Sequence, residues 1–242
     1  MIAIKIENLT KKYKDVVAVD NLSLNIEEGE LFSLLGVNGA GKTTTIKMLS
    51  CLTKPTNGDA FLLGKSILTE ENEVKNLIAV SPQESAVAPG LTVRENLELM
   101  CGVFGFSKEK RNAKITEISS LLGLDSVIKK KAAKLSGGYQ RRLSIAMALI
   151  SEPKILFLDE PTLGLDVIAR SELWDIIRAL KSKATIILTT HYMEEAESLS
   201  SRVAIMKDGR LITCDTPEKI KEATGESTFE KAFISVIKGV SK

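Results

Sequence analysis

The chain has little of what would set it outside the ordinary globular class. Its three cysteines, Cys51, Cys101 and Cys214, are isolated and odd in number, which argues against a disulfide framework and against a cysteine-held metal. They suit small buried side chains in a reducing compartment. Basic and acidic residues nearly balance, and a net charge of +2 offers no overall case for nucleic acid. Lys129-Lys130-Lys131 with Lys134 reads as a solvated face, so no nucleic-acid partner is expected. No apolar run approaches the ~18 residues of a membrane span. The start, Met1-Ile2-Ala3-Ile4-Lys5-Ile6-Glu7, carries charges where a signal peptide has its apolar core. A cytoplasmic chain is therefore expected, touching a membrane only through a partner. Internal repeats and low-complexity segments are lacking too.

What remains is a chain of 242 residues, 44% hydrophobic and 26% charged, long enough for one large α/β domain or one domain with an inserted subdomain. Its organising stretch is Leu31 to Ser50. The apolar run Leu31-Phe32-Ser33-Leu34-Leu35 stops at Gly36-Val37-Asn38-Gly39-Ala40-Gly41-Lys42-Thr43, and a helical segment from Thr44 to Ser50 follows. Strand, glycine-rich loop and helix, with Gly36 and Gly41-Lys42-Thr43 so spaced, make a nucleotide phosphate loop. Glycines let the backbone wrap round a polyphosphate and turn its N–H groups inward at a helix N-terminus. Lys42 can reach the outer phosphates and the Thr43 hydroxyl can ligate Mg²⁺.

The rest of the chain supplies an α/β frame. Ile2–Glu7 and Leu22–Ile26 alternate and predict strands; Asp59–Leu63 and Asn76–Ser81 are two more. From Thr92 to Ile150 helical periods dominate, over 93–104, 108–122 and 139–150, as in a helical subdomain inserted into the core. Lys154–Asp159 and Ala184–Thr189 are continuously apolar, suited to burial on both faces of a parallel sheet. Helices near 169–181 and 193–199, a strand at Arg202–Met206, a turn at Lys207-Asp208-Gly209-Arg210 and a helical tail from Thr216 complete the pattern.

Five further features can carry chemistry. Asp159-Glu160 closes an apolar strand, where open α/β sheets place ligands. The first carboxylate can hold Mg²⁺ through water while the second orients or deprotonates an attacking water; the plain alternative is a helix-capping acid. His191, the sole histidine, follows a strand end and is either a γ-phosphate contact or a satisfied structural residue. Gln83 also ends a strand, and its amide can ligate Mg²⁺ or hold the water. Tyr13 is either a base-stacking aromatic or a partly buried strand residue. Leu135-Ser136-Gly137-Gly138-Tyr139-Gln140-Arg141-Arg142 opens a helix that Ser136 can cap, and its paired glycines allow close approach of an anion. Two phosphate-binding helix starts are one more than a single nucleotide needs.

Gly36–Thr43, Gln83, Leu135–Gln140, Ile155–Glu160, Gly164-Leu165-Asp166 and His191, in this order and spacing, resemble the ATP-binding subunit of an ABC transporter, over the chain up to about residue 225. The resemblance implies an α/β phosphate-loop NTPase core with a mostly parallel sheet, an N-terminal antiparallel β subdomain and an inserted helical subdomain. It implies one ATP-binding domain over 1–225, with its core at 1–83 and 152–225 and the helical part at about 84–151, then a helical tail at 226–242. ATP would contact Tyr13, Gly36, Asn38, Gly39, Ala40, Gly41, Lys42, Thr43 and Thr44. A second subunit, in a homodimer or heterodimer, would close the site with its Ser136, Gly137, Gly138, Gln140 and Asp166. Tyr13 would stack on adenine, Glu160 act as general base and His191 as γ-phosphate switch, with Lys42 also catalytic. Thr43, Gln83 and Asp159 would hold Mg²⁺, and Gln83 would link the site to an integral membrane subunit.

Two positions depart from the family pattern. Tyr139 stands where the family has a glutamine, which leaves a side-chain contact to the opposite ribose open. Leu163 replaces a frequent serine and removes one cross-dimer hydrogen bond from the expectation. Pro82-Gln83-Glu84-Ser85 followed by Leu91–Leu97 looks like the exporter-type ATPases. The expected function is an ATPase at the inner face of the cell membrane, coupling dimerisation to transport through separate membrane subunits. The rivals are a soluble ABC-type ATPase acting on ribosomes or DNA, and a nucleotide sensor without turnover. The neighbouring glutamate and the histidine argue against the sensor. The absence of a tandem domain or long coiled-coil insertion argues against the soluble factor.

Overall fold

The computed structural model describes residues 1–239, so 240–242 of the expected tail lie outside the described residues. Alternating apolar and polar residues pair β1 (Ile2–Tyr13) with β2 (Val16–Glu27) as antiparallel neighbours. Both strands outrun the alternating stretches that predict them. Register shifts between Ile6 and Leu9 and between Leu9 and Lys11 let pairing continue past the breaks in alternation, which carries Tyr13 to the hairpin tip opposite Val16.

β3 (Leu31–Leu35) is buried at every residue and leads through the glycine-rich loop into α1 (Lys42–Leu49). β4 (Asn57–Leu62) returns antiparallel to β1, and the short β5 (Lys65–Ser66) pairs with it. The strand predicted over Asn76–Ser81 is shorter. Asn76 and Leu77 end the helix α2 (Glu71–Leu77), which seats Val74 in the core, and extended backbone begins only at Ile78 in β6 (Ile78–Ser81). Gln83 therefore lies just beyond a strand end.

Between β6 and the next strand come α3 (Val93–Val103), α4 (Lys108–Leu121) and α5 (Gly137–Leu149), each started by a hydroxyl cap from Thr92, Ser107 and Ser136. Then follow β7 (Ile155–Asp159), α6 (Val167–Leu180), β8 (Thr185–Thr190), α7 (Met193–Leu199), β9 (Arg202–Lys207) and β10 (Arg210–Asp215). The tail forms α8 (Pro217–Thr224) and α9 (Phe229–Lys238).

The strands make two sheets, a four-stranded one in the order β2-β1-β4-β5 and a six-stranded one in the order β10-β9-β3-β8-β7-β6. In the larger sheet only β10 runs antiparallel. The fold is thus α/β, with a mostly parallel sheet and an antiparallel β layer. Burial on both faces explains the unbroken apolar strands. Leu156, Leu158, Ile186 and Leu188 pack with the helices on one side. Ile155, Phe157 and Ile187 pack with Ile4, Leu22 and Ile46 on the other. The carboxyl ends of β3, β7 and β8 meet at one rim, which is where the phosphate loop, Asp159, Glu160 and His191 fall.

Candidate functional site

The chain leaves β3 at Gly36, where a Cβ would meet Met206 O at 2.5 Å, so only glycine lets the loop pass β9 this closely. Gly41, at φ +100°, turns the loop into α1 while its Cα lies against the backbone of Ala18 in β2. The first turn of α1 has no acidic residue and no side-chain cap, which leaves its N–H groups to an anion. Lys42, buried, donates to Gly36 O at 2.8 Å and Val37 O at 3.2 Å. Its Nζ lies 3.8 Å from Glu160 Oε1. Burial pushes the Lys42 ammonium below its ordinary pKa, against the upward pull of Glu160 and Asp159.

Parallel register sets Asp159 beside Thr189. Asp159 Oδ1 accepts hydroxyl hydrogen bonds from Thr43 at 3.1 Å and from Thr189 at 2.5 Å. A hydroxyl and a carboxylate thus converge next to the phosphate loop, a donor set that fits Mg²⁺ completed by phosphate oxygens and water. No cluster among the described residues forms a metal cage by itself. The residues fit the ion only as a partner of a polyphosphate.

The next residue breaks the strand. Glu160 adopts φ +47°, rare for a side chain with a Cβ, and its N–H donates to Thr189 Oγ1 at 3.0 Å and Thr189 O at 3.1 Å. This bend turns the Glu160 carboxylate toward Lys42 and His191. Its Oε2 lies 3.3 Å from His191 Nδ1, close enough for an ion pair but not aligned as a hydrogen bond, and Nδ1 is buried without a partner.

A cleft of about 760 Å³ gathers Tyr13, the loop from Asn38 to Thr44, Gln83, Glu160 and His191. Gly36 and Asp159 lie buried beneath it. Tyr13 is 45% exposed, with Lys11 Nζ over its ring, 5.0 Å from the centroid. Sequence reasoning missed Val16, Val17, Ala18 and Asp208 in this lining, because they arrive from the hairpin and from the β9–β10 turn.

Ser136, Gly137, Gly138, Gln140 and Asp166 do not line the cleft. Within the chain Ser136 Oγ accepts from Tyr139 N–H at 3.5 Å, and Asp166 Oδ1 accepts from Ala169 N–H at 2.9 Å. Gln140 donates to Ala132 O at 3.2 Å and Leu135 O at 3.4 Å. These residues cap and brace helix starts away from the phosphate loop.

Arg141 joins the two regions and was also missed. Its guanidinium donates to Pro161 O at 2.8 Å, Asp159 O at 2.6 Å, Gln83 O at 3.2 Å and Pro82 O. Burial lowers its pKa to about 10, with Asp159, Glu195 and Glu160 opposing. The available signal was helical spacing: Arg141 stands four residues before buried Ile145, on the same face of α5.

Known proteins resemble this chain over most of its length. The family model described as "ABC transporter" matches residues 19–163, more than half of the chain. A Nod factor export ATP-binding protein I of Burkholderia pseudomallei is 41% identical over 221 residues, covering 91% of this chain and 73% of that protein. The phospholipid-transporting ATPase ABCA3 of Homo sapiens is 40% identical over 226 residues; the match takes in 92% of this chain but only 13% of that much longer protein. Among solved structures, a dimeric ATP-binding cassette in a post-hydrolysis state with ADP and Pi superposes with a TM-score of 0.78 at 30% identity, over 88% of this chain and 98% of that one. The chain belongs to the ABC transporter family, as one of its ATP-binding, ATP-hydrolysing domains.

Proposed function

We propose that this chain is the ATPase subunit of an exporter, working as a dimer that closes on ATP and reopens after hydrolysis. The reading rests on one observation. Lys42, Glu160 and His191 meet over the phosphate loop, while Ser136 and its neighbours do not line that cleft. A second subunit supplying Ser136, Gly137, Gly138, Gln140 and Asp166 would complete the cradle, giving the surplus helix start a use. The dimeric relative and the export proteins among its matches support this assembly and direction.

In this reading Tyr13 stacks on adenine, and the N–H groups of the loop from Gly36 to Thr44 hold the phosphates. Lys42 exchanges its carbonyl partners for the outer phosphates. Thr43, Asp159 and Gln83 would hold Mg²⁺, which supplies charge neutralisation at the transferring phosphoryl group. Glu160 accepts a proton from the attacking water at its carboxylate, and His191 contacts the γ-phosphate oxygens. We divide the chain into a core at 1–83 and 152–225, a helical unit at 84–151 and a tail from 226. The core and helical unit meet at Gln83, through which a separate membrane subunit senses the nucleotide. Leu99, Val103 and Phe104 leave apolar surface exposed on and just after α3 for such a partner. No helix among the described residues is long and apolar enough to cross a membrane, so the membrane path would belong to that partner. The subunit would then sit peripherally on the inner face of the cell membrane.

Glu160→Gln tests the assignment. The amide keeps shape and removes the base, so ATP binding persists, phosphate release falls by about 10²–10⁴-fold, and a dimer accumulates on ATP in size-exclusion chromatography. An unchanged rate removes Glu160 from the chemistry.

A further inference from the structure

Glu195 is a carboxylate that none of this chemistry uses. It lies on α7, one helical turn beyond His191, and is fully buried. Its Oε1 accepts from the Thr162 hydroxyl at 2.9 Å and from the Trp174 indole N–H at 3.1 Å. Its Oε2 is buried without a hydrogen-bond partner. Earlier in the chain, the Thr190 hydroxyl accepts the Tyr192 N–H at 2.9 Å. The guanidinium of Arg170 from α6 and that of Arg141 from α5 are the charges that act on it. Arg170 is itself held between aromatic rings, 5.7 Å from the centroids of Trp174 and Tyr192.

The partners of this carboxyl come from segments that each carry part of the site. Thr162 follows Glu160 by two positions, and Glu195 itself stands four positions after His191. Trp174 belongs to α6, the helix that Asp166 caps. Glu160 and His191 approach each other from different strand ends, and the backbone at Glu160 is strained, so something must hold their separation.

We infer that Glu195 is a positioning residue for ATP hydrolysis, tying the segment after Glu160 to the helix that follows His191 through one buried carboxyl, so that the two side chains keep their 3.3 Å approach. The inference rests on the roles given above to Glu160 and His191. Burial raises the Glu195 pKa, against the hydrogen bonds from Thr162 and Trp174, which favours a neutral group at this place. A glutamine keeps the acceptor oxygen for Thr162 and Trp174. An alanine offers nothing.

The test is steady-state ATPase kinetics on the full chain, with thermal melting to confirm folding. Glu195→Gln should retain kcat within about threefold, and Glu195→Ala should lose about ten- to a hundredfold in kcat with KM for ATP within about twofold. A residue needed only for stability would lower the melting point and leave kcat of the folded protein unchanged. Folded Glu195→Ala at wild-type kcat, or an inactive Glu195→Gln, overturns the inference. If the alanine variant does not fold, Thr162→Val removes one donor at constant shape; a fall in kcat at constant KM supports the inference and wild-type kcat overturns it. Glu160→Gln in parallel separates the failures. If that variant remains active, the assignment of Glu160 falls; if it is inactive beside a fully active Glu195→Ala, only the positioning role falls.

Discussion

The Glu160 carboxylate is held by geometry that no neighbouring residue in sequence supplies. Its backbone is bent into φ +47° and anchored on Thr189, while Lys42 and His191 reach its oxygens from the phosphate loop and from the end of β8. His191 lines the cleft with its side chain 28% exposed, while its buried Nδ1 lies beside Glu160, so a phosphate oxygen entering the cleft would meet the exposed part of the ring. His191→Ala is expected to lower kcat by about 10²-fold while nucleotide still binds; fluorescent-nucleotide titration beside a phosphate-release assay checks both halves. Full activity would make His191 structural. The motif residues were legible because each sits at a strand end or loop of fixed spacing. Arg141 and Glu195 were not, since a charged residue on a helix reads as solvated until the packing shows it buried against carbonyls and hydroxyls.

At the scale of elements, the two sheets are tied by an ion pair as well as by apolar contact. Arg202, at the start of β9, donates to Glu30 Oε1 at 2.8 Å and Oε2 at 3.0 Å, and to Asn25 O of β2 at 2.8 Å. Glu30 is 8% exposed and precedes β3, the strand that delivers the phosphate loop. Arg202→Met keeps a stem over Phe32 but leaves Glu30 with the Glu27 N–H at 2.9 Å as its remaining partner. Unfolding free energy should fall by about 2–3 kcal/mol, less than for a fully buried pair because Arg202 is partly exposed; urea titration measures it. A loss under about 0.5 kcal/mol would show that apolar packing alone joins the sheets. The elements themselves were readable from periodicity, with β3, β7 and β8 the clearest. The start of β6 was not, because Asn76 and Leu77 belong to α2 and only the placement of Val74 decides between helix and strand.

For the whole molecule, the helix start at Ser136 lies outside the cleft that the phosphate loop lines, and this separation is what a head-to-tail pair would use. Ser136→Arg places a bulky cation on that surface without touching the chain's own loop. It should leave ATP affinity within about threefold and abolish the ATP-dependent dimer together with turnover, read by size-exclusion chromatography and phosphate release. A variant that still hydrolyses at the wild-type rate would mean that one protomer completes its own site. The sequence by itself determined the phosphate loop, the acid pair after β7, the lone histidine after β8 and the parallel sheet. Each of these follows from local rules: glycine where backbone must turn, apolar runs where both faces are buried, and polar residues where strands end. Only the tertiary structure decided which side chains meet over the loop, which charged groups are buried behind it, and that Ser136 stands apart. Those outcomes depend on contacts between segments far apart in the chain, whose distances are set by packing and not by spacing.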